Sequence, residues 1–455
     1  MKLTSVNPAT GVSGFEIDCW PESRLEQVLT KLTTSAPDWA NSELTNRTRL
    51  IQSVKQVLQF RREKLAQLVV SETGKLISEA RSEIGKCLRV CDYYVKWAED
   101  FLADEKVTSG ATKRYVRYEP VGTILGIVPS HFPLWHAFRF TVPALAAGNT
   151  VLLKHASNVP QCALAIEQLF HDAGVTSDIF QVLLIHSNQV APLLADTRIQ
   201  HVAFTGRVTT GRIVAQHAGR NLKKSVMELG GSDAFIVLDD ADIDAAVQCA
   251  VASRFYNAGQ TCFGAKRIIV LRDIANQFVP LFYDRVKTMQ ADDPMNPLSD
   301  LGPLAREQVR EKLHLQVRKS IRAGADPIAG CYKLKTPGFY YPASILDNVG
   351  KGMPAYDEEL FGPVASIIHA KDDKDAIRIA NDSKYGLGAS IWSRDQQYAE
   401  EVGRKIDAGM VFINRLPTDD APLPFGGVKQ SGFGRQLGRH GLLEFTNAKT
   451  ISINH

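Results

Sequence analysis

The fold is decided by residues 121–129, which read VGTILGIVP. A short apolar run of this kind, bounded by glycine and proline, predicts a buried strand. Residues 133–147 then suit a helix that stops at Gly148-Asn149, and residues 150–154 suit the next buried strand. A strand, a helix and a second strand in this order predict a parallel βαβ unit, and therefore an α/β fold.

The same alternation extends along most of the chain. Further strands are expected at residues 199–204, 234–238, 267–271 and 365–370, and further helices at residues 159–173, 209–218, 243–257, 274–289 and 375–381. The first hundred residues read as helices instead, at residues 47–69 and 76–102. After them, residues 114–118 alternate basic and large side chains, which predicts an exposed hairpin strand.

The composition is that of an ordinary globular protein. Of 455 residues, 44% are hydrophobic and 22% are charged, with 33 glycines and 21 prolines. These values exclude extensive disorder, collagen-like sequence and low complexity. The net charge of +4 is small and comes with no basic stripe, so a nucleic-acid partner is not expected. The length allows a large core and, as a prior, about three domains.

The cysteines and the apolar runs indicate a cytoplasmic protein. Seven cysteines in a long chain do not suit a disulfide framework, so reduced thiols are expected. The amino terminus lacks the apolar core of a signal peptide, and no apolar run reaches the length of about 18 residues that a membrane span needs. Cys87 and Cys91 have no second pair with which to form a zinc site, and no metal site is predicted.

Three segments carry side chains with possible chemistry. Cys262 ends the sequence NAGQTC after a predicted helix, where a thiolate could attack a substrate. Glu228 follows an apolar strand, where burial would raise the pKa of its carboxyl group and suit it to act as a general base. Residues 204–211, FTGRVTTG, join a strand to a helix, where a phosphate can meet backbone N–H groups. Taken alone, each has a simpler interpretation: a buried inert thiol, a turn, and a plain strand–helix junction.

Taken together, six segments in a fixed order resemble the aldehyde dehydrogenase superfamily. They are NPATG at residues 7–11, ELGG at 228–231, GQTC at 259–262, ELFGPV at 359–364, PFGGVKQSGFGR at 424–435 and TNAK at 446–449. The resemblance covers nearly the whole chain. Within the superfamily, the sequence pattern is most similar to that of the NAD(P)-dependent succinate-semialdehyde dehydrogenases.

The resemblance implies an architecture as well as a chemistry. It implies a Rossmann-like cofactor domain at residues 1–105 and 122–229, and an α/β catalytic domain at residues 230–425. It also implies a small β hairpin for oligomerisation, with residues 106–121 and 440–455 as its elements. A homodimer or homotetramer is expected on the same grounds.

The same resemblance assigns the reacting groups. Cys262 matches the nucleophile, which would form a thiohemiacetal with the aldehyde and, after hydride transfer to the nicotinamide, a thioester. Glu228 matches the general base that activates water to hydrolyse the thioester. Covalent catalysis of this kind divides one difficult step into two, and NAD or NADP carries the hydride. The expected function is therefore the oxidation of a short carboxylated aldehyde, similar to succinate semialdehyde, to its acid.

Five further residues match positions that hold the cofactor in the family. Lys154 matches a lysine that binds the adenosine ribose. Gly206 and Gly211 match glycines around the pyrophosphate. Glu359 and Phe361 match residues that hold the nicotinamide ribose and ring.

Two other cofactor positions depart from the usual pattern. Ser157 stands where NAD-preferring members often carry a glutamate that repels a 2′-phosphate, so NADP should be tolerated. Arg207 replaces a small serine beside the pyrophosphate, where it could pair with phosphate or obstruct it.

Substrate binding is expected to involve Arg139 and Tyr256. Most helical arginines are solvated surface residues. In the succinate-semialdehyde enzymes, however, the position of Arg139 holds an arginine that grips the substrate carboxylate, which suits a guanidinium. Tyr256 stands where some of those enzymes carry a second arginine, and its phenol can offer one hydrogen bond without charge.

His131 replaces the asparagine that completes the oxyanion hole in the family. A neutral imidazole can donate one hydrogen bond, so it either substitutes adequately or weakens the hole, which elsewhere costs about a hundred- to a thousand-fold in turnover. This departure leaves an alternative: a catalytically weakened family member with a binding or assembly role. A CoA-acylating enzyme is less compatible, because such enzymes usually lack a glutamate at the position of Glu228.

Overall fold

The computed structural model describes residues 1–108 and 113–454. The chain begins with an antiparallel pair of strands and four helices, followed by the first strands of a hairpin. These elements are β1 (Lys2–Val6), β2 (Ser13–Asp18), α1 (Glu22–Asn41), α2 (Leu44–Phe60), α3 (Arg62–Thr73), α4 (Ile77–Leu102), β3 (Glu105–Lys106) and β4 (Lys113–Pro120). The helix expected at residues 47–69 is two helices, because the chain leaves helical geometry at Arg61, with φ −92° and ψ 7°.

A mostly parallel six-stranded sheet follows. Its strands and helices are β5 (Thr123–Ile127), α5 (Pro133–Ala146), β6 (Thr150–Lys154), α6 (Pro160–Asp172), β7 (Phe180–Val182), α7 (Val190–Ala195), β8 (Ile199–Thr205), α8 (Val208–Arg220) and β9 (Lys224–Glu228). The βαβ unit predicted from residues 121–154 is confirmed, since β5 pairs with β6 in parallel. The chain moves from β5 to β6 and β7 on one side, then returns to β8 and β9 on the other. The strand order therefore reverses between β5 and β8, where α/β sheets leave a crevice at their carboxyl edge.

A second sheet, of seven strands, is built from the next part of the chain in the order β12-β13-β14-β11-β10-β15-β16. Only β12 is antiparallel to its neighbour. The elements are β10 (Ala234–Val237), α9 (Ile243–Phe255), β11 (Arg267–Leu271), α10 (Arg272–Val286), α11 (Glu307–Arg322), β12 (Asp326–Ala329), β13 (Ser344–Asp347), α12 (Pro354–Asp357), β14 (Val364–Ala370), α13 (Asp373–Asn381), β15 (Gly388–Trp392), α14 (Gln396–Gly403) and β16 (Met410–Ile413).

The last part of the chain returns to the first sheet and then joins the hairpin. Its elements are β17 (Gly432–Phe433), α15 (Gly438–Leu443) and β18 (Thr446–Ile453). β17 lies antiparallel to β9 and pairs Gly432 with Glu228. β18 pairs with β4, with Ile451 opposite Tyr115, so the predicted partnership of the hairpin with the C-terminal strand is observed. The tract 440–455 is not all hairpin, because Leu442 and Phe445 are buried in the core of the first sheet.

Each sheet has a hydrophobic core of its own, and the chain segment that connects the two sheets is short. The core of the first sheet includes the buried faces of α2–α6, and the core of the second surrounds β10, β11 and β14. Only residues 229–233 separate β9 from β10. Glu228 therefore lies where the chain passes from one sheet to the other. Within residues 1–108 and 113–454, no helix is both long and apolar enough to cross a bilayer.

Gly126, in the middle of β5, provides a test of how tightly the first sheet packs on α5. A methyl group on its Cα would fall inside the ring of Phe140. Gly126→Ala should therefore destabilise the protein by about 1–3 kcal/mol, the usual cost of overpacking a dense core. Thermal unfolding followed by circular dichroism measures this loss.

Gly219, at the end of α8, supplies the matched control. No atom lies within 4 Å of the position that its Cβ would take. Gly219→Ala should leave the unfolding midpoint unchanged or raise it, because alanine favours the helix. Equal effects of the two substitutions would contradict the packing described for β5.

Candidate active site

A cavity of about 820 Å³ opens at the carboxyl ends of β5 and β8, where the strand order reverses. This volume lies within the usual range for small-molecule and cofactor sites. Seven of the residues singled out from the sequence line it. They are His131, Gly206, Arg207, Glu228, Cys262, Glu359 and Phe361.

The loop that carries Cys262 leaves α9 through a short 3₁₀ turn with an unusual backbone. Asn257 and Ala258 both adopt left-handed conformations, with φ of 53° and 50°. Such conformations are costly outside glycine and occur mainly where surrounding contacts enforce them. Those contacts are present: the Asn257 side chain donates to the carbonyls of His131 and Gln260, each at 2.9 Å, and its backbone N–H donates to Glu79 at 2.6 Å. The segment from Asn257 to Cys262, which we name the nucleophile loop, is thereby tied to the loop that follows β5.

Cys262 is a nearly buried thiol, 8% exposed, that faces the cavity. Burial raises the pKa of this thiol to about 12, although the cations of Arg139 and Lys266 oppose the shift. The resting group is therefore a neutral thiol near pH 7. A base must remove its proton before it can act as a nucleophile.

Glu228 brings a buried carboxyl group to the same cavity. It ends β9, lines the same cavity, and neither carboxyl oxygen has a hydrogen-bond partner. Burial raises the pKa of the carboxyl group to about 8, against the opposing effect of Arg139 and Arg435. A pKa close to neutral is what general acid–base catalysis requires.

Lys266 joins three segments of the site, and the sequence patterns did not reveal it. Its ammonium group, on a side chain 1% exposed, donates to the carbonyls of Gly231 at 2.8 Å and Cys262 at 3.3 Å, and pairs with the carboxylate of Glu359. One buried cation therefore fixes the segment after Glu228, the nucleophile loop and the carboxylate expected at the nicotinamide ribose. Charged donors form the stronger class of hydrogen bond in such surroundings.

The loop bearing Glu359 and Phe361 is held from α9. The fully buried Arg254 donates to the carbonyls of Val364 at 2.7 Å and Leu360 at 3.0 Å, and also to that of Gly362. A buried guanidinium that binds carbonyls of one loop restricts the positions that the loop can take. The Phe361 ring meets the His131 ring edge to face at 5.4 Å.

His131 lines the cavity and pairs with a second histidine. Its Nε2 lies 3.0 Å from Nε2 of His136 on α5, so one ring donates and the other accepts. Burial, with help from the nearby cations of Lys75 and Arg139, lowers the pKa of His131 well below 6.5. The ring is therefore neutral near pH 7 and has a single N–H to donate, which is the neutral form considered in the sequence analysis.

Lys154 and Ser157, which are expected to bind the adenosine part of the cofactor, lie next to the cavity without lining it. Lys154 ends β6 and donates to the carbonyl of His155 at 2.9 Å; burial lowers the pKa of its ammonium group to about 8. Ser157 is exposed in the turn that follows. Ala156, between them in sequence, does line the cavity.

The phosphate-binding turn differs in detail from the expectation. The Gly206 N–H donates to the Glu228 carbonyl at 2.9 Å, so it is not free for a phosphate. The free donors come from the first turn of α8, where residues 208–210 line the cavity beside Arg207. Gly211 lies one turn further, and a Cβ there would clash with Leu229, which makes it a packing position.

Arg139 and Tyr256 do not line the large cavity, although the charge of Arg139 acts on the Cys262 thiol. Arg139 is fully buried on α5, and the sequence-based alternative of a solvated surface arginine is wrong. Its Nε and Nη1 have no hydrogen-bond partner, and its remaining donor reaches Thr205 only at 3.5 Å. The Tyr256 ring stacks on Phe132 at 5.7 Å.

The site combines the parts of a cysteine-dependent dehydrogenase: a thiol and an unpaired carboxyl group in one nucleotide-sized cavity at the switch point of a parallel sheet. A model of the aldehyde dehydrogenase family matches residues 1–451. The chain belongs to this family, and it is an oxidoreductase that oxidises aldehydes with a nicotinamide cofactor.

Its relatives include proteins named for one substrate. The chain is 42% identical to a probable succinate-semialdehyde dehydrogenase [NADP(+)] of Synechocystis sp., over all of both chains. It is 40% identical to succinate semialdehyde dehydrogenase [NAD(P)+] Sad of Escherichia coli, over 98% of this chain and 97% of that one. The crystal structure of succinic semialdehyde dehydrogenase from Streptococcus pyogenes in complex with NADP+ matches with a TM-score of 0.98 and 35% identity, over all of both chains.

The raised pKa of Cys262 predicts how its reactivity depends on pH. In the free protein, the rate of alkylation by iodoacetamide should rise about tenfold per pH unit between about pH 7 and 10, because the thiolate fraction grows tenfold per unit below the pKa. Lys266→Met should slow the reaction, since it removes a cation that favours the thiolate. Mass spectrometry of the peptide that contains Cys262 measures both rates.

The Cys262→Ser variant measures the background alkylation of the other six thiols, all of which are unbridged. A rate that levels off below about pH 9 would show a thiol with a much lower pKa and would contradict this description of the resting site.

Proposed function

We propose that this enzyme oxidises a short aldehyde with an anionic group at its far end, succinate semialdehyde being the representative, and that it uses NADP or NAD. The observation that carries the proposal is Arg139, a fully buried guanidinium with two unpaired donors beside the nucleophile. Asp419 lies 3.9 Å from Nη1 and makes no hydrogen bond with it, and a buried cation with unused donors is costly unless an anion hydrogen-bonds to them. The names of the relatives support the same substrate class.

The residues around the large cavity fit a dinucleotide. Arg207, Arg306 and Lys312 line it with the first turn of α8, which together suit a pyrophosphate. Gly230 has no side chain where a Cβ would collide with the Glu359 carboxylate, so the backbone can approach the ribose-binding position closely. The bound cofactor supplies a hydride acceptor. An exposed serine at residue 157, in place of a carboxylate, supports tolerance of NADP.

The chain's own groups account for the other steps. Glu228 takes the proton of the Cys262 thiol, whose sulfur then attacks the aldehyde carbon. His131 is neutral and lies at the cavity wall; with its Nε2 accepting from His136, its one N–H is on Nδ1 and can donate toward the developing oxyanion. After oxidation, Glu228 releases the thiol proton to solvent through the open cavity, and its carboxylate form then takes a proton from the water that hydrolyses the thioester on Cys262.

We also infer a cytoplasmic homodimer or homotetramer. The three-stranded sheet β18-β4-β3 supports assembly, because β18 is an eight-residue edge strand with mostly exposed side chains, and its outer side pairs with no strand among residues 1–108 and 113–454. Seven unbridged cysteines support a reducing compartment.

The substrate assignment predicts a preference that depends on Arg139. With either cofactor, NAD(P)H formation followed at 340 nm should show a lower KM for succinate semialdehyde than for propanal. Arg139→Met should remove most of this difference, raising the KM for succinate semialdehyde by about a hundredfold, as expected when a buried charge pair loses one partner. No reduction of either cofactor by folded protein with any aldehyde would refute the enzyme proposal, and an undiminished preference in the variant would refute the role of Arg139.

The role of Glu228 predicts that both half-reactions slow when its carboxyl group is replaced by an amide. Glu228→Gln should form the first equivalent of NAD(P)H, and then turn over, at least roughly a hundredfold more slowly than the wild type, because neither the Cys262 thiol nor the hydrolytic water has its base. In the wild-type enzyme, the steady-state rate should rise with pH through about 8, since the raised pKa leaves Glu228 protonated below that value. Rapid-mixing absorbance measurements distinguish the phases; a variant with full steady-state turnover would contradict the assignment.

A further inference from the structure

A cluster of charged side chains beside the nucleophile is not explained by the steps above. Nζ of Lys86, on α4, lies 2.5 Å from Oδ1 of Asp419, and the indole N–H of Trp135 donates to Oδ2. Nη1 of Arg139 lies 3.9 Å from that same Oδ2. The side chains of Arg139 and Asp419 are 0% and 3% exposed, so their charges interact with little screening by water.

This cluster lies close to the reacting sulfur. The charges of both Arg139 and Asp419 act on the Cys262 thiol, in opposite directions. A second cavity, of about 170 Å³, is lined by Asp419 and Phe425, and the Arg139 guanidinium lies 4.5 Å from the centre of the Phe425 ring. The Arg139 guanidinium thus has Asp419 on one side, while two of its donors, Nε and Nη1, make no hydrogen bond.

We propose that Asp419 is a specificity-determining residue: it competes with the substrate carboxylate for Arg139, and Lys86 limits that competition by holding Asp419 in an ion pair of its own. This inference rests on the proposed function and deepens it. Asp419 repels an incoming carboxylate and offsets part of the charge of Arg139. Lys86 and Trp135 occupy its oxygens, which keeps it at 3.9 Å from the guanidinium and leaves Nε and Nη1 available.

The net charge of the cluster then sets the affinity for the anionic end of the substrate. Two cations and one anion give +1 in the wild-type protein. Asp419→Asn gives +2 with almost the same shape, Lys86→Met gives 0, and the double variant returns to +1. Attraction for a carboxylate should follow these charges, because Coulomb interactions in a poorly hydrated site are strong.

The test compares the four proteins. Relative to wild type, Asp419→Asn should lower the KM for succinate semialdehyde about tenfold, Lys86→Met should raise it about tenfold, and the double variant should return near the wild-type value. The ratio of the KM for propanal to that for succinate semialdehyde should change in the same order. Inhibition by succinate, compared with propionate, reports the same order without turnover of the aldehyde.

A second ion pair on the same helix provides the control. Lys55 on α2 lies 2.6 Å from Asp92 on α4 and does not reach either cavity. Lys55→Met and Asp92→Asn should leave the KM ratio unchanged. Thermal unfolding shows whether each variant is folded. If Asp419→Asn does not fold, the expected roughly tenfold rise in the KM of Lys86→Met for succinate semialdehyde tests the proposal without it.

The outcomes separate the two proposals. An unchanged KM ratio in both Asp419→Asn and Lys86→Met, or a double variant as weak as Lys86→Met, would overturn the role of Asp419 while leaving the proposed reaction in place. A wild-type protein that reduces neither cofactor would refute the proposed reaction. In that case, succinate binding measured by calorimetry still tests the cluster, and the same affinity in all four proteins would refute it.

Discussion

The active site depends on one buried cation. Lys266 binds the carbonyls of Gly231 and Cys262 and the carboxylate of Glu359, and these groups belong to three separate parts of the chain. Because a buried ammonium group is stable only when its donors are satisfied, the three segments and the lysine hold one another in place. The segment after Glu228, the loop of Cys262 and the side chain of Glu359 are therefore held together at this single ammonium group.

Burial raises the pKa of both proposed reacting groups, Cys262 and Glu228. A thiol with a pKa of about 12 and a carboxyl group with a pKa of about 8 are both largely protonated near neutral pH. The resting site is thus uncharged at its centre, with cations at its edges on Arg139 and Lys266. Such a site loses little by excluding water before the substrate arrives, and its cations favour the anionic forms when a proton is removed.

Local patterns were sufficient for much of the fold, whereas the candidate reacting groups Glu228 and Cys262 were recognised only through a resemblance to a known family, because each segment taken alone has a simpler interpretation. The strands around residues 121–154 and 199–204, and the segments bearing Glu228 and Cys262, are encoded by neighbouring residues, and the structure has them where they were expected. The break at Arg61 was missed because the amphipathic pattern continues through it.

The residues that hold the site together could not be recognised in this way. Lys266, Asn257 and Asp419 each have at least one partner that lies 35 to 333 positions away in the chain, and an isolated lysine, asparagine or aspartate has many possible surroundings. The sequence indicated phosphate donors at the start of α8, but it could not show that the N–H of Gly206 is consumed by a contact with a strand that comes later.

The return of β17 to the first sheet has a consequence for how the protein is made. Glu228 lies on β9, whose outer edge is covered only by Gly432 and Phe433. Since synthesis proceeds from the amino terminus and early regions fold first, β9 remains an open edge while the next two hundred or so residues are added. A chain cut short before β17 would have its nucleophile and its base but an unfinished sheet beneath the base. The catalytic centre is therefore among the last parts of the molecule to be completed, and nascent or truncated chains should be the forms most dependent on chaperones.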